Sequence, residues 1–386
     1  MVTIRTGAVL LPDGRFAVCD VTVEEDTIVA VGENGAGGGP AGGESLDATG
    51  LLVLPGLVDI HGDAFERQLM PRPGVSFNHC LALLDTDRQM AANGITTAYH
   101  GLTCSWEPGL RSREAAVRFL DELEAVRPHV GCDTRLHVRF ENHNLAMADE
   151  VEGWLRAGRV GLFSFNDHLD HMFAKLDNQD KMSTYLQRTG LGREEFIALL
   201  ERVRDSGADV PALQERLAAA ARGAGVPLAS HDDTSPGVRQ WYRERGSRIA
   251  DFPVDMQTAV SAHEAGDHVV LGAPNVLRGV SHDKRLTARE AIAGGFCDVL
   301  TSDYFYPALL QAPFVLAREG LAELGAAWRL VSENPARAVG LDDRGSIAPG
   351  KRADLVLVDA SHPRLPHPRA TMAAGRIIFS CQGTAK

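Results

Sequence analysis

The chain has 386 residues, of which 44% are hydrophobic, 23% charged and 6% aromatic, the make-up of folded protein rather than disordered chain. Its 39 Lys and Arg stand against 51 Asp and Glu, and the formal net charge of −12 argues against a nucleic-acid coat or an anionic-membrane binder. At this length one compact core has stopped growing, so two or three domains are expected, or fewer if one is an α/β barrel of about 250 residues.

The opening Met1-Val2-Thr3-Ile4-Arg5-Thr6-Gly7 lacks the basic-then-apolar pattern of a signal peptide. No apolar stretch approaches the roughly 18 residues of a membrane span. Cys19, Cys80, Cys104, Cys132, Cys297 and Cys381 form no C-x-x-C pair and read as buried thiols in a reducing compartment. A cytoplasmic protein is expected.

Short apolar runs such as Ala17-Val18-Cys19 and Ile28-Val29-Ala30-Val31 predict a β-meander over the first fifty residues. Residues 32–44 form a glycine-rich connector without the Lys-Ser/Thr ending of a phosphate loop. From Leu51 onward, strand-like runs alternate with amphipathic helical stretches at 85–93 and 112–126. The runs fall at 57–60, 95–99, 136–140, 160–165, 226–229, 249–252, 268–271 and 298–300. Eight β/α units in about 250 residues predict a (β/α)8 barrel, with a doubly wound open sheet as the rival. Past Ala336 the pattern is β-like again, notably at Leu355-Val356-Leu357-Val358 and Arg376-Ile377-Ile378. Residues 1–54 and 344–386 are read as a composite β-sandwich, with the barrel, 55–343, inserted between them.

Five of the predicted strand ends carry metal-ligand chemistry. The first gives His61-Gly62-Asp63, whose period-two spacing puts both side chains on one face. The third gives Glu141, with His143 beyond it; the fourth, Asp167-His168; the fifth, Ser230-His231-Asp232-Asp233; and the eighth, Ser302-Asp303-Tyr304. Imidazole with carboxylate suits zinc, manganese or iron, and a bound ion lowers the pKa of its water to about 7. A lone histidine at a strand end is more often a hydrogen-bonded structural residue. Repetition carries the case, because barrel strand ends converge on one face. His79, His129, His263, His268, His362 and His367 lie in predicted helices or tails and are read as non-ligands, and Trp241 and Tyr242 as packing residues.

Leu54-Pro55-Gly56-Leu57-Val58-Asp59-Ile60-His61 resembles the P-G-[FL]-[IV]-D-x-H opening of the amidohydrolase superfamily. Gly94-Ile95-Thr96-Thr97 resembles its second-strand G-x-T-T, and Asn334-Pro335-Ala336 and Gly350-Lys351-Arg352-Ala353-Asp354-Leu355 resemble its C-terminal signatures. Asp63 stands where the usual H-x-H has its second histidine. That departure, with Pro71-Arg72-Pro73, Ala229-Ser230-His231-Asp232-Asp233 and Gly272-Ala273-Pro274-Asn275-Val276-Leu277-Arg278-Gly279, resembles the diphosphatase family of the carbon–phosphorus lyase pathway.

The resemblance implies hydrolysis of α-D-ribose 1-methylphosphonate 5-triphosphate to the 5-phosphate and pyrophosphate, with metal-made hydroxide as nucleophile. It implies two divalent ions, zinc first and manganese or iron next, on His61, Asp63, Glu141, His168, His231 and Asp303. Glu141 would bridge them, and Asp303 would orient the water and take its proton. Glu141 and His168 come one strand earlier than the superfamily's commonest layout, so either a strand is missed or this branch uses a third-strand Glu. Two ions and three carboxylates leave about one positive charge, too little for a triphosphate, so arginines are expected at the mouth. Arg72 and Arg278 lead the substrate-binding candidates, with His282 and Lys181 next and Arg239, Lys284 and Arg285 behind them. Asp232 and Asp233 are candidates to fix His231 from behind. The partner is then a small anionic substrate, with no nucleic acid or membrane, and the chain a homodimer. The rivals are a hydrolase or deaminase of a cyclic amide or amidine C–N bond, and a metal-free structural relative.

Overall fold

The computed structural model describes residues 1–32, 44–72, 74–280 and 286–381. The N-terminal strands are β1 (Val2–Leu10), β2 (Phe16–Glu24), β3 (Thr27–Gly32), β4 (Glu44–Asp47) and β5 (Leu52–Pro55). The predicted barrel runs appear as β6 (Leu57–Gly62), β7 (Ile95–Cys104), β8 (Asp133–Glu141) and β9 (Leu162–Asn166). They continue as β10 (Leu228–His231), β11 (Ile249–Asp251), β12 (His268–Gly272) and β13 (Val299–Thr301). The C-terminal strands are β14 (Leu355–Asp359), β15 (His367–Ala373) and β16 (Arg376–Ser380).

Strands β6 to β13 form one parallel sheet in sequence order, and its two edges meet. Asp63 N–H donates to the Asp303 carbonyl at 2.9 Å, and Asp303 N–H donates to the His61 carbonyl at 3.0 Å. Below this seam Val58 and Leu300 bond instead to the carbonyls of Val331 and Leu330, which wedge the edges apart. The result is a nearly closed barrel rather than an open sheet. The Asp59 carboxylate pins the seam by accepting from Ser302 N–H at 3.0 Å and Ser302 Oγ at 2.5 Å. A Cβ on Gly62 would lie 2.6 Å from that carboxylate, which is why glycine separates His61 from Asp63. Among the described residues no extra strand precedes Glu141, so it ends the third barrel strand, and His168 follows the fourth.

On β8, Leu136, Val138 and Phe140 pack outward into a core with Phe119, Leu120 and Leu155. The alternation turns Arg135, His137, Arg139 and Glu141 the other way, into the barrel. Val58, Ile60, Tyr99, Leu162 and Val270 fill the lower interior, so the polar layer lies at the strands' C-terminal ends, where barrel sites form.

The terminal strands build a single eight-stranded mixed sheet, in which β5 joins β14 antiparallel and so ties the two ends of the chain together. The sheet folds back on itself: Ile28 N–H donates to the Lys351 carbonyl, and Gly350 N–H to that of Ile28, both at 2.8 Å. Ile4, Val21, Val53, Leu355 and Met372 form its core. No cysteine is paired among the described residues; four are buried, Cys80 is half-buried and Cys381 exposed. No described helix is long and apolar enough to cross a membrane.

An ion network ties the sheet to the barrel floor. Asp133 accepts from Arg135 at 3.0 Å, Arg344 at 2.7 Å and Arg352 at 3.1 Å. Burial works against its charge, but Arg135 and Arg344 hold the carboxyl down at about 2. Asp133→Ala should therefore cost about 1–3 kcal/mol of unfolding free energy at pH 7, because it takes an acceptor from buried Arg344, which keeps Asp343 at 2.8 and 2.9 Å. The group's folded pKa is depressed, so its contribution is present above pH 3.8 and lost as pH falls towards 2. Urea unfolding should show the gap between variant and wild type closing over that window.

Candidate metal centre

At the C-terminal ends of the barrel strands, Asp232 (φ 58°), Phe252 (φ 58°) and Asp303 (φ 55°) carry a left-handed backbone. Aspartate tolerates this conformation, but a phenylalanine there costs about 1–2 kcal/mol. The Phe252 ring lies 4.9 Å from the His61 imidazole and 5.4 Å from that of His231, walling both. Strain of this kind gathers at functional sites.

The imidazoles are held from behind. His61 and His231 each donate Nδ1–H to Asp251 Oδ2, at 2.8 and 2.9 Å. His168 donates Nδ1–H to Glu141 Oε1 at 2.5 Å, and its backbone N–H to Oε2 at 3.2 Å. A carboxylate on Nδ1 fixes the tautomer and leaves Nε2 as the ligand atom, the usual preparation of a metal-binding histidine. Against the cost of burial, Asp251 raises the His61 pKa, while Glu141 is held at about 2 by the charge and bonds of His168. Burial lowers His231 despite Asp232, and Arg139 adds to the lowering. Asp303 is pushed up to about 7, by burial first and then by the neighbouring Asp63.

Among the described residues, donor atoms within 4.8 Å of one another occur in three groups: His61, Asp63 and Asp303; His168, His231 and Asp232; and His61, His231 and Asp251. In the third group the pairing is already spent, because Asp251 takes both Nδ1–H bonds. The first two groups mix imidazole with carboxylate and fit a borderline divalent ion. Arg139 lies between them, donating Nη1 to Asp63 Oδ2 and Nη2 to His231 Nε2, each at 3.1 Å.

Of the six residues expected as ligands, five fall in these two groups. Glu141 lies behind His168 instead. Asp232 approaches His231 Nε2 at 3.7 Å and His168 Nε2 at 3.9 Å. Asp233 does not reach His231; it accepts from Ser230 Oγ at 2.7 Å and from buried Arg239 at 3.1 Å. Arg239 also pairs with Asp267 at 3.3 Å and is spent on structure. His100 is a buried neutral ring beside Phe65, its pKa pressed to about 4 by burial.

Two adjoining cavities of about 280 and 560 Å³ share His168, His171, His231 and Asp232, a size suited to a small molecule. Arg139 and Tyr304 line the first, and Trp241, 41% exposed, lines the second rather than packing inside. Arg278 stands on the rim, its Nη1 donating to the Tyr304 hydroxyl at 3.3 Å. Arg72 is exposed in the segment after β6, and neither Arg72 nor Lys181 lines either cavity. His282, Lys284 and Arg285 lie outside the described residues. The described mouth is mixed in charge, with Asp167, Asp170, Asp232 and Asp303 facing Arg139 and the histidines.

Asp251 and Arg139 are the site residues that sequence reasoning missed. Arg139 carried a usable signal, since it lies two residues before Glu141 on the same strand face. Asp251 ends a strand of only three residues, too short to display alternation.

Comparisons with known proteins bear on the family and the fold. Residues 298–379 match the amidohydrolase family model. The chain is 33% identical, over 330 residues, to the alpha-D-ribose 1-methylphosphonate 5-triphosphate diphosphatase of Escherichia coli (strain K12), covering 81% of this chain and 85% of that enzyme. It is 44% identical over 162 residues to a dihydroorotase of Streptococcus pneumoniae, but that stretch covers 42% of this chain and 35% of the dihydroorotase. An amidohydrolase from an environmental sample of the Sargasso Sea has the same fold, with a TM-score of 0.66 at 16% identity, over 98% of this chain and 93% of that one. By this likeness the chain is a member of the amidohydrolase superfamily and, within it, of the alpha-D-ribose 1-methylphosphonate 5-triphosphate diphosphatase family.

Proposed function

We propose that this hydrolase cleaves α-D-ribose 1-methylphosphonate 5-triphosphate to the 5-phosphate and pyrophosphate. The observation that carries the reading is the likeness to the E. coli enzyme across 85% of its length. His61, Asp63 and Asp303 would hold a divalent ion, zinc first and manganese or iron next. When bound, the ion lowers the pKa of water to about 7 and draws charge from the phosphorus oxygens.

The chain's own residues do the rest. The water oxygen bonds to phosphorus as the bond to the pyrophosphate oxygen breaks in line, and the proton needs an acceptor. Asp303, a carboxylate at the foot of the cavity, is placed to take it. Arg139 and Arg278 offer guanidinium groups for the anionic chain, Arg139 at the base and Arg278 at the rim. Phe252 and Leu271 shield one side of the cavity from water.

Incubating the full chain with Zn²⁺ or Mn²⁺ and this triphosphate should release pyrophosphate, followed by phosphorus NMR. No turnover, with ring opening of a cyclic amide in its place, would overturn the assignment. That second reading has its own support in the dihydroorotase likeness. A neutral ring needs few cations, and the two described arginines at the mouth are few for a triphosphate.

A further inference from the structure

Arg139 sits where the candidate ligands are densest, with only 6% of its surface exposed. Its guanidinium joins Asp63 of one ligand group to His231 of the other, at 3.1 Å in each case. The two groups are not affected equally. An imidazole nitrogen has a single lone pair. With Nδ1–H given to Asp251, His231 has only Nε2 left, and the guanidinium takes it. A carboxylate has two oxygens and several lone-pair positions, so Asp63 can accept from Arg139 through Oδ2 and still offer Oδ1. His61, with Nδ1 on Asp251, keeps its own Nε2 for an ion. Arginine also cannot lose its proton to make room for a metal, as histidine or lysine can.

We propose that the centre holds one divalent ion, at His61, Asp63 and Asp303, and that Arg139 takes the place of a second, barring it from His168, His231 and Asp232. The proposal rests on the metal-dependent reading above and replaces the expected pair of ions by one ion and one guanidinium. It gives a physical reason for aspartate in His61-Gly62-Asp63. A carboxylate there forms an ion pair with the guanidinium while still serving the ion, which a second imidazole could not do. The cation is also delivered where substrate would meet it, since Arg139 lines the cavity above His61.

The test is the metal count of the purified full chain after loading with Mn²⁺ and removal of the excess, read by elemental analysis and electron paramagnetic resonance. The wild-type chain should hold one ion and give the hyperfine-split spectrum of an isolated Mn²⁺. Arg139→Met keeps the length, removes the charge and frees His231 Nε2, so the count should double and the spectrum become that of an exchange-coupled pair. Two coupled ions in the wild type would overturn the proposal and leave the hydrolase reading standing. A wild-type chain that takes up no ion would overturn the metal-dependent reading, and this proposal with it. An Arg139→Met chain that is folded by circular dichroism yet holds one ion would overturn Arg139 as the barrier. Should that variant not fold, the wild-type count decides alone.

Discussion

Asp251→Ala should weaken metal binding by about 10–100-fold and lower unfolding free energy by about 3–5 kcal/mol. One carboxylate oxygen, Oδ2, receives Nδ1–H from both His61 and His231, and all three side chains are buried. Alanine would leave two imidazole N–H groups without an acceptor, each costing about 1–3 kcal/mol. It would also release both rings to flip, so the Nε2 atoms would no longer face the centre. Despite its burial, Asp251 is held well below the usual carboxylate range by His61 and His231, so it is ionised throughout the working pH range. Asp251→Asn keeps an acceptor oxygen but not the charge, and should recover more stability than metal affinity. Chelator competition and denaturant unfolding measure the two effects separately. Unchanged metal affinity in a destabilised Asp251→Ala chain would reduce Asp251 to a packing group.

The barrel was legible because each strand buries an apolar run, and burial is what periodicity reports. Every predicted run overlaps its strand, yet the run at 95–99 stops well short of the end of β7 at Cys104. Polar residues such as His100 and Thr103 break the apolar signal there, although the whole strand is buried. The ligand side chains stood out for a related reason: a charged or imidazole group after an apolar run is conspicuous. Partners are harder to read than ligands. Asp251 touches residues 190 and 20 positions away, and nothing local in Ile249-Ala250-Asp251 announces a shared acceptor. Loop reach is hidden in the same way. Arg72 and Arg278 have the same chemistry, but only Arg278 arrives beside a residue that lines the cavity, because the short helix after β12, Ala273–Arg278, ends beside Tyr304. Residues 169–203 fold around their own cluster of Tyr185, Phe196 and Leu200, so their packing follows local helices, whereas Leu213, Leu217 and Ala221 join the core outside the barrel.

Asp303→Asn should abolish most hydrolysis, by about 10²–10⁴-fold, while making the metal-free protein more stable at alkaline pH. Asp303 has its folded pKa raised to about 7 from 3.8, so the folded state holds a proton that the unfolded state releases between those values. Its contribution to stability is therefore full below pH 3.8 and declines as pH rises to about 7. Above that window the carboxylate is ionised beside Asp63, at a cost of up to roughly 4–5 kcal/mol at about 1.4 kcal/mol per pKa unit. Asparagine cannot ionise, and it tolerates the left-handed backbone at φ 55° as well as aspartate does. The stability gap between variant and wild type should accordingly be widest near pH 8 and vanish near pH 4. Divalent ion should reverse the order, because the wild-type carboxylate gains from the ion what it loses to Asp63, whereas the amide gains little. Thermal unfolding at pH 8 with and without Mn²⁺ reads both halves. A metal-free Asp303→Asn chain no more stable than wild type at that pH would mean that Asp303 is not held under electrostatic strain. It would then lose its claim as the group poised to accept the proton.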